Sequence, residues 1–142
     1  MEEKVLRLVW LRARNCCEYC RRPQSCDETP FQIDHVIARK HGGGDDPRNL
    51  ALPCMACNND KGPNIAGLDP WTGHLVRLFD PRTDQWSEHF VWDGPTLQGM
   101  TPIGRATVTV LAINIPFRVE LRNSLLAEGI SLAGPAEEDK PR

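Results

Sequence analysis

The sequence lacks a basic stretch followed by a short apolar run at its start, opening instead on Met1-Glu-Glu-Lys-Val-Leu6. It also has no uninterrupted apolar segment near the roughly 20 residues that span a bilayer. A secretory leader and a membrane span are therefore not expected, and a soluble, cytoplasmic protein with no membrane partner is. An excess of positive charge is missing too, with 17 Lys and Arg against 19 Asp and Glu for a net charge of −2. Composition alone thus does not announce a nucleic-acid binder, which is more often basic. The placement of charge says more. Arg7, Arg12, Arg14, Arg21 and Arg22 crowd the front of the chain, while Glu128, Glu137, Glu138 and Asp139 make its far end acidic. No internal repeat is visible, and 142 residues is the size of one ordinary domain with one modest core.

What is present is a helix-like opening and a set of paired cysteines. Leu6, Val9, Trp10 and Ala13 recur at helical spacing, which predicts a helix from about Glu3 to Arg14. Phe31 to Ile37 alternates like a strand, Lys40 to Arg48 is a glycine-rich turn, and Asn49-Leu-Ala-Leu-Pro53 reads as a second short strand. A helix opens near Cys54 and is limited by Gly62-Pro63. Further on, Asp69-Pro-Trp-Thr-Gly73 is a turn, and strands are expected over His74–Phe79, Trp86–Trp92 and Thr96–Met100. Thr101-Pro102 has the form of an N-cap followed by proline at the first helical position, favouring a helix over 103–113. Another is expected over Phe117–Glu128, closed by Gly129 and followed by an acidic, proline-containing tail at 131–142.

Six cysteines without a secretory context point to reduced thiols. Two C-x-x-C pairs, Cys17/Cys20 and Cys54/Cys57, supply the four thiolates of a closed tetrahedral zinc site. A rubredoxin-type iron site would use the same sulfurs, but zinc is the preferred reading. Cys16 breaks the two-residue spacing and Cys26 has no partner, so both read as bystanders. Four thiolates around Zn²⁺ leave a charge near −2, which Arg14, Arg21, Arg22 and Lys61 lie close enough in sequence to offset. The segment between the pairs is long for a zinc ribbon and must fold into something of its own.

That segment carries Ile33-Asp34-His35-Val36-Ile37, then Gly42-Gly43 and Asn49-Leu50, with Asn58 and Lys61-Gly62 just beyond the last cysteine. From about Cys17 to Gly62 this pattern resembles the HNH endonucleases of the ββα-metal fold. Stretches outside it, Leu78–Arg82, Trp86–Phe90 and Gly104–Thr107, look like extensions found on a subset of such proteins. The resemblance implies an α+β fold. A ββα-metal core over about 15–66, stapled by the four-cysteine zinc, would carry an N-terminal helix, a β-hairpin and helical extension over about 67–130, and the tail.

It further implies roles. His35 would be the general base that deprotonates the attacking water, a task suited to an imidazole near neutral pH. Asp34, pointing the other way along an extended strand, would hold a divalent ion through a carboxylate oxygen. Asn49 would hold the His35 loop by hydrogen bonds. Asn58 stands where the family often has histidine, and would give an oxygen-rich shell that favours Mg²⁺ or Mn²⁺. Arg39, Lys40, His41 and Lys61 are candidate nucleic-acid contacts. The expected activity is metal-dependent hydrolysis of double-stranded DNA leaving a 5′-phosphate, with a homodimer as a simple route to double-strand cuts. An RNase or toxin-like nuclease, and a non-catalytic zinc module that binds nucleic acid, are the alternatives. His74, His89 and the four tryptophans, Trp10, Trp71, Trp86 and Trp92, are read as structural, the tryptophans as core fillers rather than base-stacking platforms. Arg105 is read as half of a surface salt bridge.

Overall fold

The computed structural model describes residues 1–137 and Lys140. Helix α1 spans Glu3–Ala13, burying Val9 and Ala13, and ends where Arg14 and Asn15 both turn left-handed at φ 52° and 56°. That reversal delivers the chain into the first cysteine pair. Strand β1, Asp34–His35, is far shorter than the alternation over 31–37 suggests. It pairs antiparallel with β2, Leu50–Ala51, in the register Asp34 opposite Ala51 and His35 opposite Leu50. Helix α2, Met55–Lys61, follows, with Cys54 at its N-cap and Gly62 at φ 50° closing it. The order is β, β, α, as the resemblance implies.

A hairpin of β3, Ala66–Leu68, and β4, Leu75–Arg77, comes next. The first of these strands is not marked in the sequence by any alternation. Trp86–Trp92 is not one strand. Its first half, Trp86–His89, is a single helical turn, α3, and only Phe90–Asp93 is extended, as β5 paired with β6, Thr96–Gly99. The turn directs both Trp86 and Phe90 inward, which a strand also permits for residues four apart, so alternation alone does not separate the two. Helix α4, Pro102–Val110, is capped by Thr101, whose hydroxyl accepts from the Gly104 amide, as its sequence signals. Gly104 is required there because a Cβ would stand 2.2 Å from the His89 carbonyl oxygen. Helix α5, Pro116–Ala127, is the last helix among the described residues, and Gly129 follows it at φ 84°. The acidic tail lies partly outside the described residues, Glu138 and Asp139 among them.

Among the described residues, mixed helices and three two-stranded antiparallel sheets make this an α+β fold. One contiguous apolar cluster runs from Val9 through the cysteines and Leu50–Leu52 to Phe79, Trp86, Phe90, Leu97 and Ile113. No helix among the described residues is long and apolar enough to cross a membrane.

Candidate active site and metal centre

The four knuckle cysteines come from the turn after α1 and from the start of α2, brought together by backbone pairing. Glu18 donates its amide to the Leu52 carbonyl at 2.8 Å, and the Leu52 amide returns to the Glu18 carboxylate at 3.1 Å. Cys17, Cys20, Cys54 and Cys57 are all buried, with their sulfurs within 4.8 Å of one another. The Cys20 and Cys54 sulfurs are 3.6 Å apart. A tetrahedron with Zn–S bonds of ~2.3 Å has an edge of about 3.8 Å, so this set fits a zinc ion. Cys16 and Cys26 lie outside the cluster, as their spacing predicts.

The cation in direct contact with these sulfurs was not foreseen in the sequence. Arg118 of α5, 7% exposed, places Nη2 3.2 Å from the Cys57 sulfur and Nη1 2.8 Å from the Leu111 carbonyl oxygen. Burial alone would lower its pKa, but the neighbouring Cys57 and Cys20 more than reverse this and raise it. Of the cations expected to offset the thiolates, Arg22 turns to Asp27 at 2.6 Å and Lys61 points elsewhere altogether. A separation of 61 residues from Cys57 hides Arg118 from any local pattern.

His35 and Asp34 stand side by side on β1, and their side chains meet different partners. The His35 Nε2 lies 2.8 Å from Asp45 Oδ1, with the imidazole 19% exposed. Arg39 donates to the same Asp45 oxygen at 2.7 Å. The Asp45 carboxyl is held below its ordinary value, first by the hydrogen bond from His35 and further by Arg39. Asp45 is thus a site residue that the sequence reading missed. Its only signal was an acid placed just after three glycines in the turn that faces β1.

Asn49 ties that turn down. Its side-chain amide donates to the carbonyls of Ile37 at 3.0 Å and Gly44 at 2.9 Å, and its oxygen accepts the Ile37 amide at 2.9 Å. Gly43 allows the closure, since a Cβ there would be 1.7 Å from the Ile37 oxygen and 2.8 Å from the Asn49 amide nitrogen. The backbone of Asn49 also accepts from Val36 at 2.8 Å. The loop from Ile37 to Gly44 is therefore clamped from one residue.

Asp34 faces inward onto Lys61, with Nζ 2.9 Å from Oδ2. Lys61 donates as well to the His35 carbonyl at 3.1 Å and is only 2% exposed. Read from the sequence as a nucleic-acid contact, it is instead a buried ammonium with no surface to offer a phosphate. Asn58 lies half-buried on α2, and its side chain makes no hydrogen bond among the described residues. Arg39, Lys40 and His41 form one exposed turn beside His35, with Arg39 already on Asp45.

The remaining histidines and aromatics largely follow expectation. His89 bonds the Thr101 hydroxyl at 2.6 Å, Trp86 is buried and donates to the Tyr19 carbonyl at 2.7 Å, and Trp10 and Trp92 are half-buried. Trp71 does not follow it, being 78% exposed. Arg105 pairs not at the surface but with Asp69, which is fully buried.

Residues 17–64, about a third of the chain, match the family model described as HNH endonuclease. No curated protein and no solved structure matches. The matched span begins at the first knuckle cysteine and runs through β1, the glycine turn, β2 and α2, so both the zinc-fitting cluster and the His35 site fall within it. The chain carries an HNH endonuclease domain at residues 17–64.

Proposed function

We propose that this protein is a metal-dependent endonuclease that hydrolyses phosphodiester bonds in double-stranded DNA, with His35 as general base and one Mg²⁺ or Mn²⁺ held by Asp34 and Asn58. The observation that carries the reading is the pairing of His35 with Asp45. With Nε2–H donating to the carboxylate at 2.8 Å, the neutral imidazole keeps Nδ1 as its acceptor. An oriented base with one nitrogen committed to a carboxylate is the arrangement general-base catalysis needs.

Asp34 and Asn58 offer a carboxylate and an amide oxygen, a donor set for a hard divalent cation. One Asp34 oxygen is engaged by Lys61, and the buried ammonium also grips the His35 carbonyl, so Lys61 fixes the step between the two residues. When bound, the ion supplies charge stabilisation at the phosphate and at the departing oxygen. Nδ1 of His35 takes a proton from water, the water oxygen bonds to phosphorus, the bond to the 3′-oxygen breaks and that oxygen takes a proton from solvent water, leaving a 5′-phosphate and a 3′-hydroxyl. Arg39, Lys40 and His41, exposed beside His35, meet flanking phosphates.

The test is cleavage of supercoiled plasmid by zinc-loaded protein with Mg²⁺, with Mn²⁺ or with neither, the catalytic ion being omitted rather than chelated so that the knuckle stays filled. Nicking or linearisation should require the ion and fall by about 10²–10⁴ in His35→Ala of equal zinc content. Undiminished cutting by that variant would overturn the role of His35, and nickel outperforming Mg²⁺ and Mn²⁺ would overturn that of Asn58. Cleavage confined to RNA, or binding without cleavage, would favour the RNase or the binding-module alternative.

A further inference from the structure

The turn between β3 and β4 is built to an unusual standard for a surface loop. Asp69, fully buried, accepts at Oδ1 from Arg105 Nε at 2.8 Å and the Trp71 amide at 3.0 Å. Its Oδ2 accepts from Arg105 Nη2 at 2.8 Å and the Thr72 hydroxyl at 3.0 Å. Its backbone closes the turn, the amide donating to the His74 carbonyl at 2.9 Å and the carbonyl accepting from Gly73 at 2.8 Å. Taking a carboxylate and a guanidinium out of water is costly unless their geometry is good and their remaining hydrogen bonds are met, and here they are. What this frame holds up is Trp71, 78% exposed, with the Arg105 guanidinium carbon 4.2 Å from the centre of its ring. One face of the indole is covered by a cation and the other is open.

We propose that the open face of Trp71 is a stacking site for an unpaired nucleobase in a single-stranded flank of the DNA the enzyme cuts. The inference rests on the nuclease reading above. Three observations favour this occupant. The first is position. The root of the hairpin, at Ile65, Arg77 and Leu78, shares a recess of about 370 Å³ with Val36, Ile37 and Lys61, which adjoin His35 and Asp34. Leu68 lies three residues beyond Ile65, so at ~3.3 Å per strand residue the tip stands about 10 Å further out. A strand of a few nucleotides, at ~3.4 Å per step, spans the length from that recess to the hairpin tip.

The second is shape. A planar ring immobilised by a stacked guanidinium loses little freedom when a second plane settles on it, and every base offers a π-face. The third is area. The tip exposes Leu68, Leu75 and Trp71 at 60%, 71% and 78%. Three such side chains fall well short of the roughly 800 Å² per partner that a stable protein interface takes, since a whole aromatic side chain buries about 150–250 Å². A ligand the size of a base suits the site better than a second copy of this chain.

The experiment uses zinc-loaded, full-length protein in a His35→Ala background, with a fluorescein-labelled single strand of about 12 nucleotides, within the span of a small single-strand site, and the duplex of the same sequence, read by anisotropy across a salt series. Trp71→Ala should weaken single-strand binding by about 5- to 100-fold, and duplex binding much less. Trp71→Phe should recover most of the loss, while Trp71→Leu, which still covers Arg105, should not. The salt slope should stay the same in all three, because stacking releases no counterions. Equal single-strand affinity of Trp71→Ala and its parent, or equal affinity of the Phe and Leu variants, would overturn the proposal. So would a dimer of the parent protein that Trp71→Ala dissociates, which would assign the face to a second copy. If wild type cuts plasmid and Trp71→Ala binds unchanged, stacking alone fails; if no nucleic acid is either cut or bound, the nuclease reading fails with it.

Discussion

The HNH core at 17–64 and the extension at 66–127 share one apolar cluster but add different elements to it. The core has two two-residue strands, one α-helix of seven residues and a turn-rich remainder, with the side chains of His35 and Asp34 partly open to solvent. The extension holds an aromatic cluster, with Phe79 and Phe90 ring centres 5.2 Å apart at 76° and Trp86 5.2 Å from Phe90. It also buries Asp69, Arg118 and Arg122, each held by hydrogen bonds. In the core, four cysteines that fit a zinc ion sit within the shared packing, whereas the extension relies on aromatic contacts and hydrogen-bonded buried charges. The two are joined rather than adjacent, because Trp86 donates to the Tyr19 carbonyl and Arg118 reaches the Cys57 sulfur.

The largest effect should come from removing zinc. Structural zinc sites contribute about 10–16 kcal/mol of apparent binding energy, as much as the whole stability of an ordinary domain. Chelation should therefore unfold the core and sharply lower the melting temperature in calorimetry. His35→Ala, which touches no knuckle residue, should leave melting unchanged. Equal losses in the two experiments would erase the distinction between a metal-held frame and a site it displays.

Next in size is Asp45→Asn. The amide keeps the shape but not the charge that orients His35 through Nε2, so kcat should fall about 10- to 100-fold while KM, zinc content and melting temperature hold. A rise in KM with kcat intact would mean that Asp45 shapes substrate binding through Arg39 instead. Arg118→Leu sharpens the comparison from the other side. It withdraws the cation in contact with the Cys57 sulfur and leaves the Leu111 carbonyl without its donor, so competition with a chromophoric chelator should show zinc retention weakened about 10-fold or more.

The two regions were also unequally legible. In the core, chemistry is local. C-x-x-C spacing, Asp34-His35, the glycines and Asn49 specify the knuckle, the strand pair and the clamp within a few residues each, and the structure assembles them accordingly. Asp45 escaped because nothing in a carboxylate at a turn tells which histidine it will face. Lys61 was misplaced because a lysine at a helix end is normally solvated, and only the tertiary approach of Asp34 and the His35 carbonyl makes its burial tolerable. In the extension, Thr101-Pro102 announced its helix, yet Trp86–His89 passed for strand, and the partners of Asp69 and Cys57, Arg105 and Arg118, lie 36 and 61 residues away.

The smallest effect distinguishes how the extension is held. The Asp69 carboxyl sits below its ordinary value, chiefly through the Arg105 hydrogen bonds against the opposing cost of burial, with the Trp71 amide and Thr72 hydroxyl adding to them. As pH falls through the ordinary carboxylate range the unfolded chain takes up a proton that folded Asp69 does not. The unfolded state then binds more protons, so stability declines with acid. The Asp69 contribution is complete at neutral pH, shrinks below roughly pH 4, and is gone only below its folded value. Asp69→Asn should thus show a shallower loss of melting temperature between about pH 5 and pH 2 than wild type, beside a lower value at neutral pH. Parallel curves would mean that the Asp69–Arg105 pair opens before the fold does. Trp71 would then be carried by a frame that loosens on its own, and the extension would share the core's reliance on a few polar contacts instead of contrasting with it.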